Sequence, residues 1–310
     1  MNAADGRASS SRPGESGPSA LATVTRRLAV LLGAGVAPVS AWMHAGTGTP
    51  LEGWARAVAS GESAAIADRI AAEPGRPLHA ERAGLAAIWA VSVAAGAPLA
   101  ASLRGYADLI RGFAEAERQR RVALSGPTAT ARLVMVMPGL GLVLGAALGQ
   151  DTVGVLLGTP TGWGCLTVGT LLMLAAWWWN RALLRRAARG DRLPGMAPEL
   201  VAVAMQGGFA ADRARDLVAA VAVRYRIPLE FGAVDAAVRV AAAAGAPVAE
   251  LLRAEAEESR RIALASAAER AERLSVLLML PLGLCVLPAF LVLGVVPMIV
   301  GLFVSTISAI

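Results

Sequence analysis

Apolar and charged positions follow two patterns along this chain, and the changes between them divide it. From Ala41 to Arg132, Ala-rich stretches are dotted with Arg and Glu at helical spacing, with stops at Pro50, Pro74-Gly75 and Gly96-Ala97-Pro98. Leu85, Ile88, Trp89 and Val93 recur three and four apart and predict one apolar helix face. Then charge disappears. Leu133–Leu148 and Thr152–Asn180 carry no ionisable residue and are separated only by Gly149-Gln150-Asp151. At about 1.5 Å per residue the first run spans roughly 25 Å as a helix and the second exceeds 30 Å, so together they predict a transmembrane hairpin whose first arm uses its flanks. A second charged helical segment follows. The third uncharged run, Leu274–Ile310, holds 37 residues. It predicts one long tilted helix, bent at Pro281, Pro288 and Pro297; a tight hairpin there leaves little length per arm. No strand pattern is evident.

The predicted organisation is an all-α membrane protein of two duplicated cytoplasmic helical bundles and three transmembrane helices. Residues 1–20 form a disordered Ser/Gly/Ala/Pro tail. The first bundle covers 21–132, the first span 133–149 and the second 152–180. The second bundle covers 181–273 and the third span 274–305. Composition agrees: 56% of the 310 residues are hydrophobic and mean hydropathy is +0.57, too apolar for an ordinary soluble chain. Residues 1–132 hold 14 Arg against 10 acids, and residues 181–273 hold 15 against 12. Arg132, Arg181, Arg185, Arg186, Arg189, Arg192 and Arg273 flank the spans, while the turn at Asp151 carries no base. The positive-inside rule therefore puts both bundles in the cytoplasm and the C-terminus outside. Anionic lipid accounts for the juxtamembrane Arg, and no nucleic acid is implied. Trp177-Trp178-Trp179 lies where an interfacial aromatic anchor belongs.

Several chemistries are excluded or disfavoured. The chain has no Lys, so it has neither a P-loop nor a Schiff-base site. His44 and His79 are its only histidines, too few for a His-rich metal or catalytic site. Cys165 and Cys285 lie in predicted spans as small apolar fillers rather than a disulfide pair. The spans lack the carboxylates and His that pumps, proton relays and intramembrane proteases use. No catalytic residue, cofactor or metal is expected, and the chain reads as a non-enzyme. Arg26-Arg27 ahead of Leu28–Val39 fits two elements, a signal-peptide core (even a twin-arginine one) or a buried bundle helix. A similar stretch, Pro194–Ala210 ending in Gly207-Gly208-Phe209, lies far from any N-terminus and favours the buried helix.

The most informative feature is a repeat. Ala94–Ala100 reads AAGAPLA and Ala243–Ala249 reads AAGAPVA, six of seven identical. Leu103-Arg104 matches Leu252-Arg253. Ala114–Leu124, AEAERQRRVAL, matches Ala254–Leu264, AEAEESRRIAL, at eight of eleven positions. Only the first copy carries nine further residues, Gly105–Phe113. Each copy enters an uncharged run through Arg-Leu and then meets a proline, Pro138 or Pro281. Gly96 with Pro98 and Gly245 with Pro247 are structural corners between helices. In the second block Glu115, Glu117, Arg120, Arg121, Glu255, Glu257, Arg260 and Arg261 form either a solvated helix face, with Glu four before Arg, or a docking face for a partner.

Duplicated helical segments joined to three spans resemble the type II secretion system F family, the inner-membrane platform proteins of type II secretion and type IV pili, and most closely its Tad/Flp pilus assembly branch. The residues carrying the likeness are Gly96-Ala97-Pro98-Leu99 and Gly245-Ala246-Pro247-Val248. Met279-Leu280-Pro281 through Leu287-Pro288-Ala289-Phe290 to Pro297, and Leu148-Gly149 through Gly158-Thr159-Pro160-Thr161-Gly162-Trp163, add to it. It covers roughly residues 21–305. The resemblance implies a scaffold that couples a cytoplasmic hexameric secretion ATPase to assembly of pilin subunits beside a sister platform protein and membrane lipid, as a homo- or hetero-oligomer. It also implies antiparallel six-helix bundles that self-associate. The second segment, about 80 residues from Pro194 to Arg273, is short for six helices. The alternative is a membrane subunit of a small transporter driven by a separate ATPase; the repeat suits it, the odd span count and uncharged spans do not.

Overall fold

The structure, a computed structural model, describes residues 17–60, 65–72, 78–119, 121–122, 160–187, 193–296 and 299; among these all regular structure is helical and there is no strand. The tail 1–16, the run Leu133–Leu148 with Pro138, Arg120 and Pro297 lie outside the described residues. The chain divides into two compact units. The first comprises Met1–Glu117 with Asp191–Ala265, and the second Arg118–Gly190 with Ser266–Ile310.

In the first unit the helices are α1 Pro18–Gly33, α2 Pro38–Ala45, α3 Glu52–Ala59, α4 Ile66–Ala71, α5 His79–Ala95 and α6, residues 99–119. The later segment adds α8 Met196–Gln206, α9 Ala211–Tyr225, α10 Gly232–Ala244 and the first part of α11, Val248–Leu277. Boundaries fall where the sequence stops a helix. Gly96 ends α5 at φ +69°, ψ 23°, and Gly245 ends α10 at φ +67°, ψ 24°. Only glycine takes that left-handed backbone without penalty. It turns the chain so that Ala97 N–H reaches the Ser92 carbonyl (2.9 Å) and Ala246 N–H reaches the Ala241 carbonyl (3.1 Å), satisfying carbonyls that the helix end leaves bare. Pro98 and Pro247, with φ preset and no N–H to lose, then open the next helix.

The corner at the second helix pair of each segment has a counterpart too. Gly35 (φ +82°) and Gly208 (φ +94°) are followed by Val36 and Phe209, whose N–H groups reach back to Leu31 and Ala204. Between these corners the segments differ. The first is broken into α2, α3 and α4 and the second is the single helix α9, so among the described residues the second segment has four helices where the resemblance implies six. Helix α9 ends in the same left-handed turn, but with Arg226 at φ +54°. A side chain there costs about 1 kcal/mol. Arg226→Gly is therefore expected to stabilise the first unit by about 0.5–1 kcal/mol, read as a raised denaturant midpoint.

The two segments, expected as two bundles, pack around one core. Helix α5 lies at its centre against α4, α8 and α9, so one segment's central helix is covered by the other's. It is buried almost all round: Leu85, Ile88 and Trp89 face the core as predicted, but Val93, in the last turn, is 63% exposed. Leu103 and Leu252, matched in the repeat, are both fully buried. Leu28 and Ala29 are fully buried as well, as a bundle helix over Arg26–Gly33 requires. Trp42 meets Trp54 edge-on at 5.4 Å, and the Arg82 guanidinium lies 4.7 Å from the Trp54 ring. Helix crossings are close where glycine allows it. A Cβ on Gly207 would lie 2.8 Å from Ala95 Cβ, and one on Gly84 would lie 3.0 Å from Tyr106 Cζ.

The second unit pairs α7, Pro160–Ala187, with the end of α11 and the helical tract that continues it to 296. The pairing is antiparallel: Leu183 packs on Leu274 and Leu278, Met173 with Ala176 beside Cys285 and Val286, and Leu293 over Gly169. The third run is thus one helix through residue 296, not a hairpin. Its prolines are absorbed by wider turns. π-helical geometry covers Leu282–Val286 after Pro281 and Leu291–Val295 after Pro288, rehousing backbone bonds that a proline ring displaces. Cys165 and Cys285 are free thiols. The outer faces are apolar: Trp163, Leu171, Trp178, Val276, Leu284 and Leu287 are all more than half exposed. Among the described residues one helix, Val248–Leu293, is long and apolar enough to cross a membrane.

Candidate functional site

The repeated block AEAExxRRxAL exposes its glutamates differently in its two copies. Glu115 is exposed and Glu117 half-buried; in the second copy Glu255 is half-buried and Glu257 exposed. The extra residues Gly105–Phe113 lie inside the continuous helix α6. At about 100° per residue, nine residues add roughly two and a half turns, a half-turn of net rotation. The flanking core positions Leu103 and Leu252 stay buried, and the glutamate exposed after them changes from Glu115 to Glu257, while Arg121 and Arg261, like Val122 and Ile262, are exposed in both copies. The two docking faces read from the sequence therefore differ in their glutamates and agree in Arg121 and Arg261.

The second copy also spends one of its arginines internally. Arg260 Nη2 donates to Glu199 Oε2 at 2.8 Å, with the side chains only 19% and 16% exposed. Glu199 sits in the first turn of α8, where the helix dipole favours a carboxylate. The turn ahead of it brings α8 close to α11. Gly195 is left-handed (φ +69°), and a Cβ there would lie 2.9 Å from Ala256 Cα. Arg260 thus holds two elements together. Arg261 pairs with Glu258 at 3.1 Å, three residues back, rather than with Glu257. That leaves Glu257 and Arg261 on the exposed face of α11 and Arg121 exposed in the first copy.

A second polar cluster joins the segments. Arg224, at the end of α9, donates from Nε (3.0 Å) and Nη2 (2.6 Å) to the two Asp68 oxygens on α4, and the Tyr225 hydroxyl donates to Asp68 Oδ1 at 3.1 Å. The Arg224 hydrogen bonds hold Asp68 below the ordinary carboxylate value. Burial, then the Asp68 carboxylate, pushes Tyr225 up to about 12. The folded state thus favours protonated Tyr225. That contribution is complete below the ordinary tyrosine value of 10 and is lost as pH rises from there through about 12. Asp68 contributes above its ordinary value of 3.8 and loses its contribution as pH falls below it. Tyr225→Phe should flatten the alkaline limb of a stability–pH curve and leave most of the acid limb, which the Arg224 hydrogen bonds carry, in place, measured by urea midpoints from about pH 2 to 11.5.

Glu199, Asp68, Arg224 and Tyr225 were invisible to sequence reading. Their partners lie 61 and 156 or more residues away, and each looks like another dot of charge on a helix. Among the described residues no three His, Cys, Asp or Glu side chains converge. What the first unit offers is surface: charged helix faces and grooves between helices. The chain matches no protein-family model, no curated protein and no solved structure.

Proposed function

We propose that the chain is a non-enzymatic inner-membrane platform protein of a Tad/Flp-type type IV pilus or type II secretion machine, coupling a cytoplasmic secretion ATPase to pilin assembly. The observation that carries this reading is the duplicated helix–Gly-Ala-Pro–helix corner, whose two copies share their torsions to within a few degrees. It joins the architecture and the short motifs on which the family resemblance rests. The shared core supports the proposed topology. Two segments packed around one core lie on one side of a membrane, which requires an even number of crossings between them. The runs Leu133–Leu148 and Thr152–Asn180 supply two, and Leu274 onward a third, with the exposed apolar faces of α7 and 276–291 turned to lipid. The positive-inside rule then places the first unit in the cytoplasm.

Affinity purification of the tagged chain from gently solubilised membranes, read by mass spectrometry, tests the proposal. A hexameric secretion ATPase and a sister platform protein should co-purify. Recovery alone, or with a solute-binding protein, would sink the platform reading and favour the transporter. Charge reversal at Glu257 and Arg261 should release the ATPase without lowering protein level.

A further inference from the structure

The insertion that lengthens α6 also builds a groove. Within Gly105–Phe113, Tyr106, Leu109 and Ile110 are buried; the Tyr106 hydroxyl donates to the Glu81 carbonyl, seating α6 on α5. Asp108 and Arg111, on the opposite side, are exposed. They face α1. Arg26 Nη1 donates to Asp108 Oδ1 at 2.8 Å, and Arg111 closes a cleft of about 590 Å³ with Thr23, Arg27, Val30, Leu31 and His44. Arg27 is held at its rim by donating to the Thr47 carbonyl at 2.8 Å. The His44 Nδ1–H donates to the Ser40 carbonyl at 2.7 Å, so the imidazole keeps Nε2 for a ligand.

Its chemistry is mixed. Val30 is 58% exposed, and the floor is completed by Leu31 and the arginine stems. Around that floor stand three guanidiniums against one carboxylate, and the carboxylate is already engaged by Arg26. Among the described residues Arg111 forms no ion pair. No Phe, Tyr or Trp lines the cleft to stack a base. An apolar floor is wasted on a bare phosphate. We infer that the groove between α1 and α6 docks an acidic, amphipathic segment of a partner protein, its carboxylates on Arg27 and Arg111 and an apolar side chain on Val30. Because Asp108 and Arg111 belong to the insertion, the groove is a property of the first copy alone.

The test uses the full-length protein in phosphatidylcholine nanodiscs and a fluorescein-labelled peptide of glutamate and leucine in helical alternation. The control peptide has glutamine for every glutamate. Binding of the acidic peptide, salt-sensitive and weakened about tenfold or more by Arg27→Gln with Arg111→Gln, is expected. Val30→Asp should weaken it as much, and Arg253→Gln on α11 should leave it unchanged. Melting of each variant, followed in parallel, separates lost binding from lost folding, and Val30→Asp alone decides if the double variant unfolds. Equal binding of the glutamine peptide, or an affinity within twofold in the folded variants, overturns the assignment. So does displacement by inorganic phosphate as effective as by unlabelled peptide, or loss of peptide binding when phosphatidylglycerol replaces the neutral lipid, which would make the groove a headgroup site.

Discussion

Gly207→Ala is expected to lower the stability of the helical unit by about 2–3 kcal/mol, and Gly207→Val by more. A Cβ at this position would lie 2.6 Å from the Ala95 carbonyl carbon and 2.8 Å from its Cβ. No flexible side-chain end is available to move aside; the obstacle is the last turn of α5, which is itself pinned by the Gly96 corner. The helices must separate, and the core that one segment shares with the other opens at the place where they cross. Gly53 is the control. It lies inside α3 with nothing within 4 Å of an added Cβ, so Gly53→Ala should be neutral or stabilising by up to about 1 kcal/mol through helix propensity. Pulse proteolysis across a urea series, read on the full chain in detergent, measures both. A wild-type midpoint for Gly207→Ala would mean that the two segments do not pack this closely.

The second large effect is at the Glu199–Arg260 pair. Glu199→Ala strands a mostly buried guanidinium between α8 and α11 and should cost about 2–3 kcal/mol, below the 3–5 of a fully buried pair because some water reaches both groups. Arg260→Glu should do at least as much damage, since it sets two carboxylates where a 2.8 Å ion pair stood. Replacing both residues, Glu199→Leu with Arg260→Met, should recover most of the loss, because removing a buried pair together is far cheaper than orphaning one member. A double-mutant cycle on urea midpoints gives the coupling. Additive single effects would show that the two side chains do not interact. It follows that a charge reversal at Arg260 which abolishes partner binding would say nothing about docking, whereas Glu257 and Arg261 remain clean probes.

Local structure was largely legible in the sequence because it is written in local chemistry. Gly96-Ala97-Pro98 and Gly245-Ala246-Pro247 read as helix corners, since a left-handed residue followed by a preset φ has few other uses. The charge-free stretch from Leu274 read as a single bent helix, and its prolines marked where the backbone bonding changes. What was not legible is which helix meets which. Ala-rich faces fit many neighbours equally well, so nothing in α5 announced that α8 and α9 would cover it. Gly207 stood out only as the end of an apolar stretch, and its role as a contact surface depends on Ala95, more than a hundred positions earlier. Glu199 drew no attention and Arg260 was read only as part of the charged block, because a linear pattern carries information about an ion pair only over three or four residues. Val93 failed for a different reason: the helical period continues to the end of α5, but the neighbours that would cover that last turn do not.

The nine residues Gly105–Phe113 change what a partner meets on the two copies. Two like-facing copies of AEAExxRRxAL would give one partner species two matching berths and, with them, avidity. With Glu115 outward in one copy and Glu257 in the other, a partner that reads the glutamate position meets each arrangement once, whereas one that reads only the second arginine meets it twice. A nine-residue difference in the length of one helix is enough to give two near-identical sequence blocks different glutamates for a ligand to meet.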